Sequence, residues 1–193
     1  VDRPGTVVLK VMTFNILGNT VGWLTRQGKV ADIIREQRPD VVFLQEVPGQ
    51  SRTRSYHAGV LGRLTGLHAT FRGHHRTGPF GLLTFGNAIL TRGPVSYADS
   101  IELPKTDVAR EQRSVVFARV EVRPGVRINA FSTHLTSGRA AEKDASRQVQ
   151  AVALLRWLER WHERPLLVGG DFNARPSTPT AELLTGRHTV GGT

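Results

Sequence analysis

Apolar and polar positions alternate over residues 7–15, with Val8, Met12 and Phe14 to one side and Leu9 and Val11 to the other. That period predicts a strand ending at Asn15. A glycine-containing turn follows, then an amphipathic helix ending near Gln37, with Val30, Ile33, Ile34 and Gln37 on one face. Pro39-Asp40 stops it. Residues 41–44 are wholly apolar, the pattern of a strand covered on both faces. A second helix is expected over 54–64, with Tyr56, Val60, Leu61 and Leu64 inward. A short strand is expected over 68–72, an exposed loop over 74–85, and strands over 87–91 and 95–103. Residues 114–122 and 126–134 read as a hairpin around Pro124-Gly125. A long helix is predicted over 142–162, its inward stripe formed by Val149, Val152, Leu155, Leu158 and Trp161. A strand over 166–171 follows. Thr178-Pro179 supplies an N-cap and a first-turn proline for a short helix through Leu184. Residues 187–193 show no pattern. This order of elements predicts a single α/β domain over residues 1–193. It holds mixed strands, with too many in succession for a pure βαβ alternation.

Four of the apolar runs end in polar groups suited to chemistry. Val11 to Phe14 ends in Asn15, and Val42 to Leu44 ends in Gln45-Glu46. Ala130 to Thr133 ends in His134, and Leu166 to Val168 ends in Gly169-Gly170-Asp171-Phe172-Asn173. Residues two apart in an extended chain share a side, so Asp171 and Asn173 project together. The two glycines allow another group to approach that backbone closely. Taken singly, a strand-end Asn makes a turn, and a lone Glu or His is ordinary surface. Sites in layered α/β folds form at the carboxyl ends of strands, so four endings of compatible chemistry suggest one pocket.

Composition narrows the partners. The chain carries a net charge of +10, nearly all of it arginine; Lys10, Lys29, Lys105 and Lys143 are the only lysines. The charge fits either a soluble basic surface or an anionic partner: nucleic acid, a phosphorylated small molecule or an acidic membrane. The absence of cysteine excludes disulfides, thiolate metal sites and cysteine nucleophiles. Any metal would be held by oxygen or imidazole ligands, which suit Mg2+, with Mn2+ or Ca2+ satisfying the same donors. No apolar run reaches the length of a membrane span. The chain begins at Val1 and shows no signal-peptide pattern, so a processed product, fragment or trimmed chain is expected. Localisation stays open between secreted and cytoplasmic, with a mature secreted form slightly favoured. A monomer is expected.

Thr13-Phe14-Asn15, the run from Pro39 to Val47, Gly86-Asn87-Ala88-Ile89-Leu90-Thr91-Arg92, Ser132-Thr133-His134-Leu135 and Gly169 to Asn173 occur in one order. In this the chain resembles the endonuclease/exonuclease/phosphatase (DNase I-like) superfamily, from Val7 to about Pro179. The resemblance implies a four-layer α/β sandwich of two packed mixed sheets flanked by helices. It implies a Mg2+-dependent hydrolase that cleaves a phosphodiester by metal-assisted attack of water, with nucleic acid the favoured substrate. A phospholipid phosphodiesterase of the sphingomyelinase kind, or a phosphatase, is the enzymatic rival; an inactive nucleic-acid- or protein-binding module is the other class. The segment from Gly78 to Phe85 would offer apolar side chains to a membrane or, the favoured alternative, pack them under its own loop. By the same resemblance Glu46 ligates the metal with Asn15. His134 bonds the scissile phosphate or assists protonation, Asp171 positions water and Asn173 contacts phosphate. Arg113 braces the site or binds phosphate, and Asn87 holds a turn near it. Arg147 and Gln148 tie down the long helix. Two features depart from the family pattern. Leu17 stands where some nucleases carry an acid, and the family's late Asp strand and Ser-Asp-His motif do not occur up to Thr193. The expectation is a C-terminally incomplete sandwich, slow on its own.

Overall fold

The computed structural model describes residues 6–18, 22–77, 80, 83–162 and 165–190. Its strands are β1 (Val11–Asn15), β2 (Val41–Gly49), β3 (His68–Thr77), β4 (Leu83–Thr91), β5 (Val95–Glu102), β6 (Ser114–Arg123), β7 (Val126–His134) and β8 (Leu166–Asp171). Its helices are α1 (Trp23–Gln37), α2 (Tyr56–Thr65), α3 (Ala141–Leu158) and α4 (Pro179–Leu184). They build two four-stranded mixed sheets, ordered β1-β2-β4-β3 and β5-β6-β7-β8. In each sheet one pair is parallel, β1 with β2 and β7 with β8.

The layering follows from period-two alternation. In β2, Val42, Leu44 and Val47 face Val30, Ala31, Ile34, Ala58 and Leu61 of α1 and α2. Val41 and Phe43 point the other way and pack with Ile89 against Val116, Ala118, Val120, Ile128 and Ala130 of the second sheet. That sheet's outer face, with Val115, Phe117 and Phe131, is covered by Leu154, Trp157 and Leu158 of α3. The result is helix, sheet, sheet, helix. The wholly apolar reading of residues 41–44 is explained by this double burial.

Two glycines give β8 its close packing, one against the facing sheet and one against the neighbouring strand. A Cβ on Gly169 would lie 2.2 Å from Cδ2 of Phe43, and one on Gly170 (φ +151°) would lie 2.0 Å from the Thr133 carbonyl oxygen. The close approach read from the sequence is thus that of the facing sheet and the neighbouring strand.

At the end of the sandwich remote from Asn15 and His134, Asp40 ties the sheets together. Its carboxylate accepts from the Lys10 N–H at 2.9 Å and from Arg123 at 2.8 Å, with Arg92 at 3.6 Å. Burial pushes this carboxyl up. The Arg123 and Lys10 hydrogen bonds and the two arginine charges outweigh it and hold the carboxyl below its ordinary value.

Several elements differ from the sequence reading. Strands β3 and β4 extend into the expected loop, reaching Thr77 and beginning at Leu83, because they pair antiparallel across that whole length. The apolar segment offered to a membrane falls partly outside the described residues, at Gly78, Pro79, Gly81 and Leu82. Helix α3 ends at Leu158, and residues 159–161 form a 3-10 turn. Its buried face is Ser146, Arg147, Gln150, Ala151, Leu154, Trp157 and Leu158, while Val149 is 47% exposed. Polar side chains take the inward face because they satisfy loop carbonyls: Arg147 donates to Thr136 O and Gly138 O, and Gln150 to Thr136 Oγ1. A hydropathy pattern cannot register that exchange. Likewise Tyr56, Leu64 and Ile33 are exposed, and Ala31, Ala58 and Gly62 take the inward places. Thr178 caps α4 as expected, accepting from the Ala181 N–H.

Candidate active site

The parallel pairs β1/β2 and β7/β8 bring four chain segments to one edge of the sandwich. Asn15 sits beside Gln45, and His134 beside Asp171. At this edge Asn15 joins the two sheets: its Nδ2 donates to Glu46 Oε1 at 2.9 Å and to Asp171 Oδ2 at 3.3 Å. Its Oδ1 accepts from the Leu17 N–H at 3.1 Å, which fixes the amide's orientation. Two carboxylates from different sheets therefore converge on one point.

Glu46 is presented by a local defect in the strand. The register of β2 slips between Leu44 and Val47, and Glu46 adopts φ +57°. A bulge re-aims a side chain out of the alternation; a non-glycine residue held there costs on the order of 1 kcal/mol. Leu17 (φ +47°) and Asn173 (φ +51°) share that backbone region. Three such residues flank the same two carboxylates, a clustering associated with functional sites.

His134 is buried, its Nδ1 3.0 Å from Arg113 Nη1 and its Nε2 3.7 Å from Asp171 Oδ2. A guanidinium has no acceptor and remains charged, so it must donate, and Nδ1 must accept. The ring proton therefore sits on Nε2, facing Asp171. Burial, then the Arg113 charge, pushes this imidazole down to about 4, against the pull of the Asp171 carboxylate. At neutral pH His134 is an uncharged hydrogen-bond donor. Arg113 is itself buried, with Glu111 at 3.2 Å.

Asp171 Oδ1 accepts from the Asn173 N–H at 3.0 Å, and Asn173 Nδ2 donates to the Leu135 carbonyl at 3.0 Å. Asn173 thus closes the turn that holds Asp171, with its Oδ1 uncommitted to any described hydrogen bond. Asn87 lies within β4 rather than in a turn. It is buried between the sheets and donates to the Ser114 carbonyl at 3.1 Å, which Thr133 Oγ1 also approaches. It supports the segment carrying Arg113 and does not reach the carboxylates by any described bond. Gln45 turns inward, its Oε1 accepting from Thr13 Oγ1 at 3.3 Å. The Arg113–His134 pairing is the feature sequence reading missed; the residues lie 21 apart and nothing local couples them.

The donor set suits a hard cation that keeps most of its water. Glu46 and Asp171 supply carboxylate oxygens around the Asn15 amide, and one or two carboxylates suffice for Mg2+. Among the described residues no cluster of three His, Asp or Glu side chains could form an all-protein cage.

The sequence profile of the Endonuclease/Exonuclease/phosphatase family matches residues 12–190. No curated protein matches significantly. Among solved structures, a conserved protein from Enterococcus faecalis V583 superposes with a TM-score of 0.74 at 19% identity, over 92% of this chain and 72% of that one. An endonuclease/exonuclease/phosphatase from Beutenbergia cavernae gives 0.68 at 22% identity, over 91% of this chain and 52% of its own length. The human Nocturnin catalytic domain with bound sulfate gives 0.69 at 24% identity, over 91% and 67%. This chain therefore spans about half to three quarters of the structures it resembles.

Proposed function

From a chain that belongs to the endonuclease/exonuclease/phosphatase family, we propose a hydrolase of phosphodiesters, with nucleic acid the favoured substrate, assisted by a divalent cation such as Mg2+. The observation that carries this reading is the Asn15 amide held between Glu46 and Asp171 beside the Nε2–H of His134. Glu46 would hold the cation with Asn15 beside it. When bound, the cation would polarise a phosphoryl oxygen and stabilise the leaving oxygen. The remaining chemistry belongs to the side chains. Asp171 orients the attacking water, being the acceptor that faces the site. His134 donates Nε2–H to a phosphoryl oxygen and does not act as a base, because Nδ1 is engaged by Arg113. The second Nδ2–H of Asn173 donates to the phosphate, the first being held by the Leu135 carbonyl. The net charge of +10 favours a polyanion over a neutral lipid surface.

The test sets plasmid DNA, sphingomyelin vesicles and bis(4-nitrophenyl) phosphate against the protein, with Mg2+ or with chelator. Glu46→Ala and His134→Ala should each lower turnover about a hundredfold or more, and chelator should abolish it. Turnover that survives chelator and both substitutions would refute the mechanism. Faster cleavage of sphingomyelin than of DNA would move the substrate to phospholipid, and tight DNA binding without turnover would make this a binding module.

A further inference from the structure

A polar cavity of about 330 Å³ lies against the candidate site. Three segments wall it: Arg110, Glu111 and Arg113 ahead of β6, Thr136 and Ser137 beyond β7, and Lys143 in the first turn of α3. Every one of these side chains is polar. The cavity shares a wall with the site. Arg113, whose Nη1 bonds His134 Nδ1 at 3.0 Å, is common to both, and Thr136 stands two residues beyond His134. A group bound here would adjoin a phosphate bonded by His134.

The charges of the wall do not cancel. Glu111 is committed to Arg113, its Oε2 3.2 Å from Nη2. Arg110 and Lys143 have no carboxylate partner among the described residues. Lys143 is half-buried and spends one of its three donors on the Val108 carbonyl, which does not neutralise it. Asp144, the next residue, turns instead to Arg147, Gln148 and Thr180. The walls are also fixed before any ligand arrives. Thr136 Oγ1 accepts from Gln150 Nε2 at 2.9 Å, and Arg147 holds the Thr136 and Gly138 carbonyls. Gln112 donates to the Leu103 and Arg113 carbonyls at 2.6 and 2.9 Å, pinning the segment that carries Arg110. A cation would meet two uncancelled positive charges here, and an apolar group would strip water from them. A compact anion gains from both, and from donors already in place.

We propose that this cavity holds a second phosphate of the substrate, bonded by Arg110, Lys143 and the Ser137 hydroxyl, next to the phosphate at Glu46 and Asp171. The proposal rests on the phosphodiesterase reading above and sharpens it: the preferred substrate carries two phosphates in succession. An internal phosphate of a polynucleotide and a terminal phosphate on a short one offer the same chemistry. A substrate with one phosphate and an apolar tail leaves the cavity unfilled.

The test measures affinities by calorimetry on the full 193-residue chain in Mg2+. The probes are a thymidine dinucleotide joined by a hydrolysis-resistant phosphorothioate, the same dinucleotide with a phosphate at its 5′ or 3′ end, and the trinucleotide with both links phosphorothioate. A second phosphate should tighten binding about tenfold. Arg110→Gln should remove most of that gain, and so should Lys143→Gln, which keeps a donor for the Val108 carbonyl. Arg63→Gln removes the same charge from α2, in the opposite outer layer, and should keep the gain. A gain confined to the trinucleotide makes the second phosphate internal. A gain from a terminal phosphate makes it a chain end, and the 5′ and 3′ probes give its polarity. No gain in the native chain, an undiminished gain in Arg110→Gln, or an equal loss in Arg63→Gln would overturn the proposal. The two readings fail separately. Glu46-dependent turnover of the ordinary dinucleotide without an Arg110-dependent gain removes the second phosphate site alone; an Arg110-dependent gain with normal turnover in Glu46→Ala removes the chemistry and leaves the site.

Discussion

Burial, together with the Arg113 contact, sets the protonation of His134. Because the folded state holds His134 near 4 and the unfolded chain near 6.5, the unfolded state binds the proton more readily between those values. The contribution to stability is therefore complete above about pH 6.5 and lost as pH falls toward 4, up to about 3 kcal/mol in all. Urea unfolding at pH 7.5 and 5.0 should show a steeper loss in the native chain than in His134→Gln; parallel losses would refute the assignment. Sequence reading placed His134 at a strand end with phosphate chemistry nearby, since a His after an apolar run is visible locally. It could not show that the ring is a donor. That property comes from a guanidinium delivered by the segment before β6, and from burial that only the folded sandwich creates.

At the scale of elements, β8 lies closest to β2 where side chains are absent. Gly169→Ala would place a methyl group against the Phe43 ring, which is fully buried and cannot withdraw. Overpacking of this kind costs about 1–3 kcal/mol. Melting temperature should fall, and turnover should fall with it because Asp171 is carried on the same strand; Phe43→Leu should restore part of both. An unchanged melting temperature would mean that the sheets separate there without cost. The strands were legible because doubly buried runs such as 41–44 and the hairpin around Gly125 (φ +76°) carry strong local patterns. The inward face of α3 was not. Arg147 and Gln150 turn inward for hydrogen bonds to a loop that sequence periodicity does not represent. Nor was the continuation of β3 and β4, whose glycine- and aromatic-rich sequence reads as a loop until the partner strand is seen.

Across the whole molecule, the two sheets are fastened at opposite ends by different means. Asp40 gathers Lys10, Arg92 and Arg123 at one end, and Asn15 bridges Glu46 and Asp171 at the other. Asp40→Asn keeps the shape but removes the charge, and the exposed arginines recover part of the loss in water. It should cost about 1–2 kcal/mol, measured by urea midpoint, with little change in turnover. A large fall in turnover would mean that the two ends are mechanically coupled. The four-layer arrangement itself was expected from the motif order and is found. The Asn15 bridge has a consequence of another kind. Since each sheet brings one carboxylate, neither sheet alone would hold the proposed centre, and the amide between them would act as a gauge of alignment. The proposed turnover would then report on how the halves are seated: a slip of one sheet over the other by a single ångström would silence it while every strand and helix remained in place.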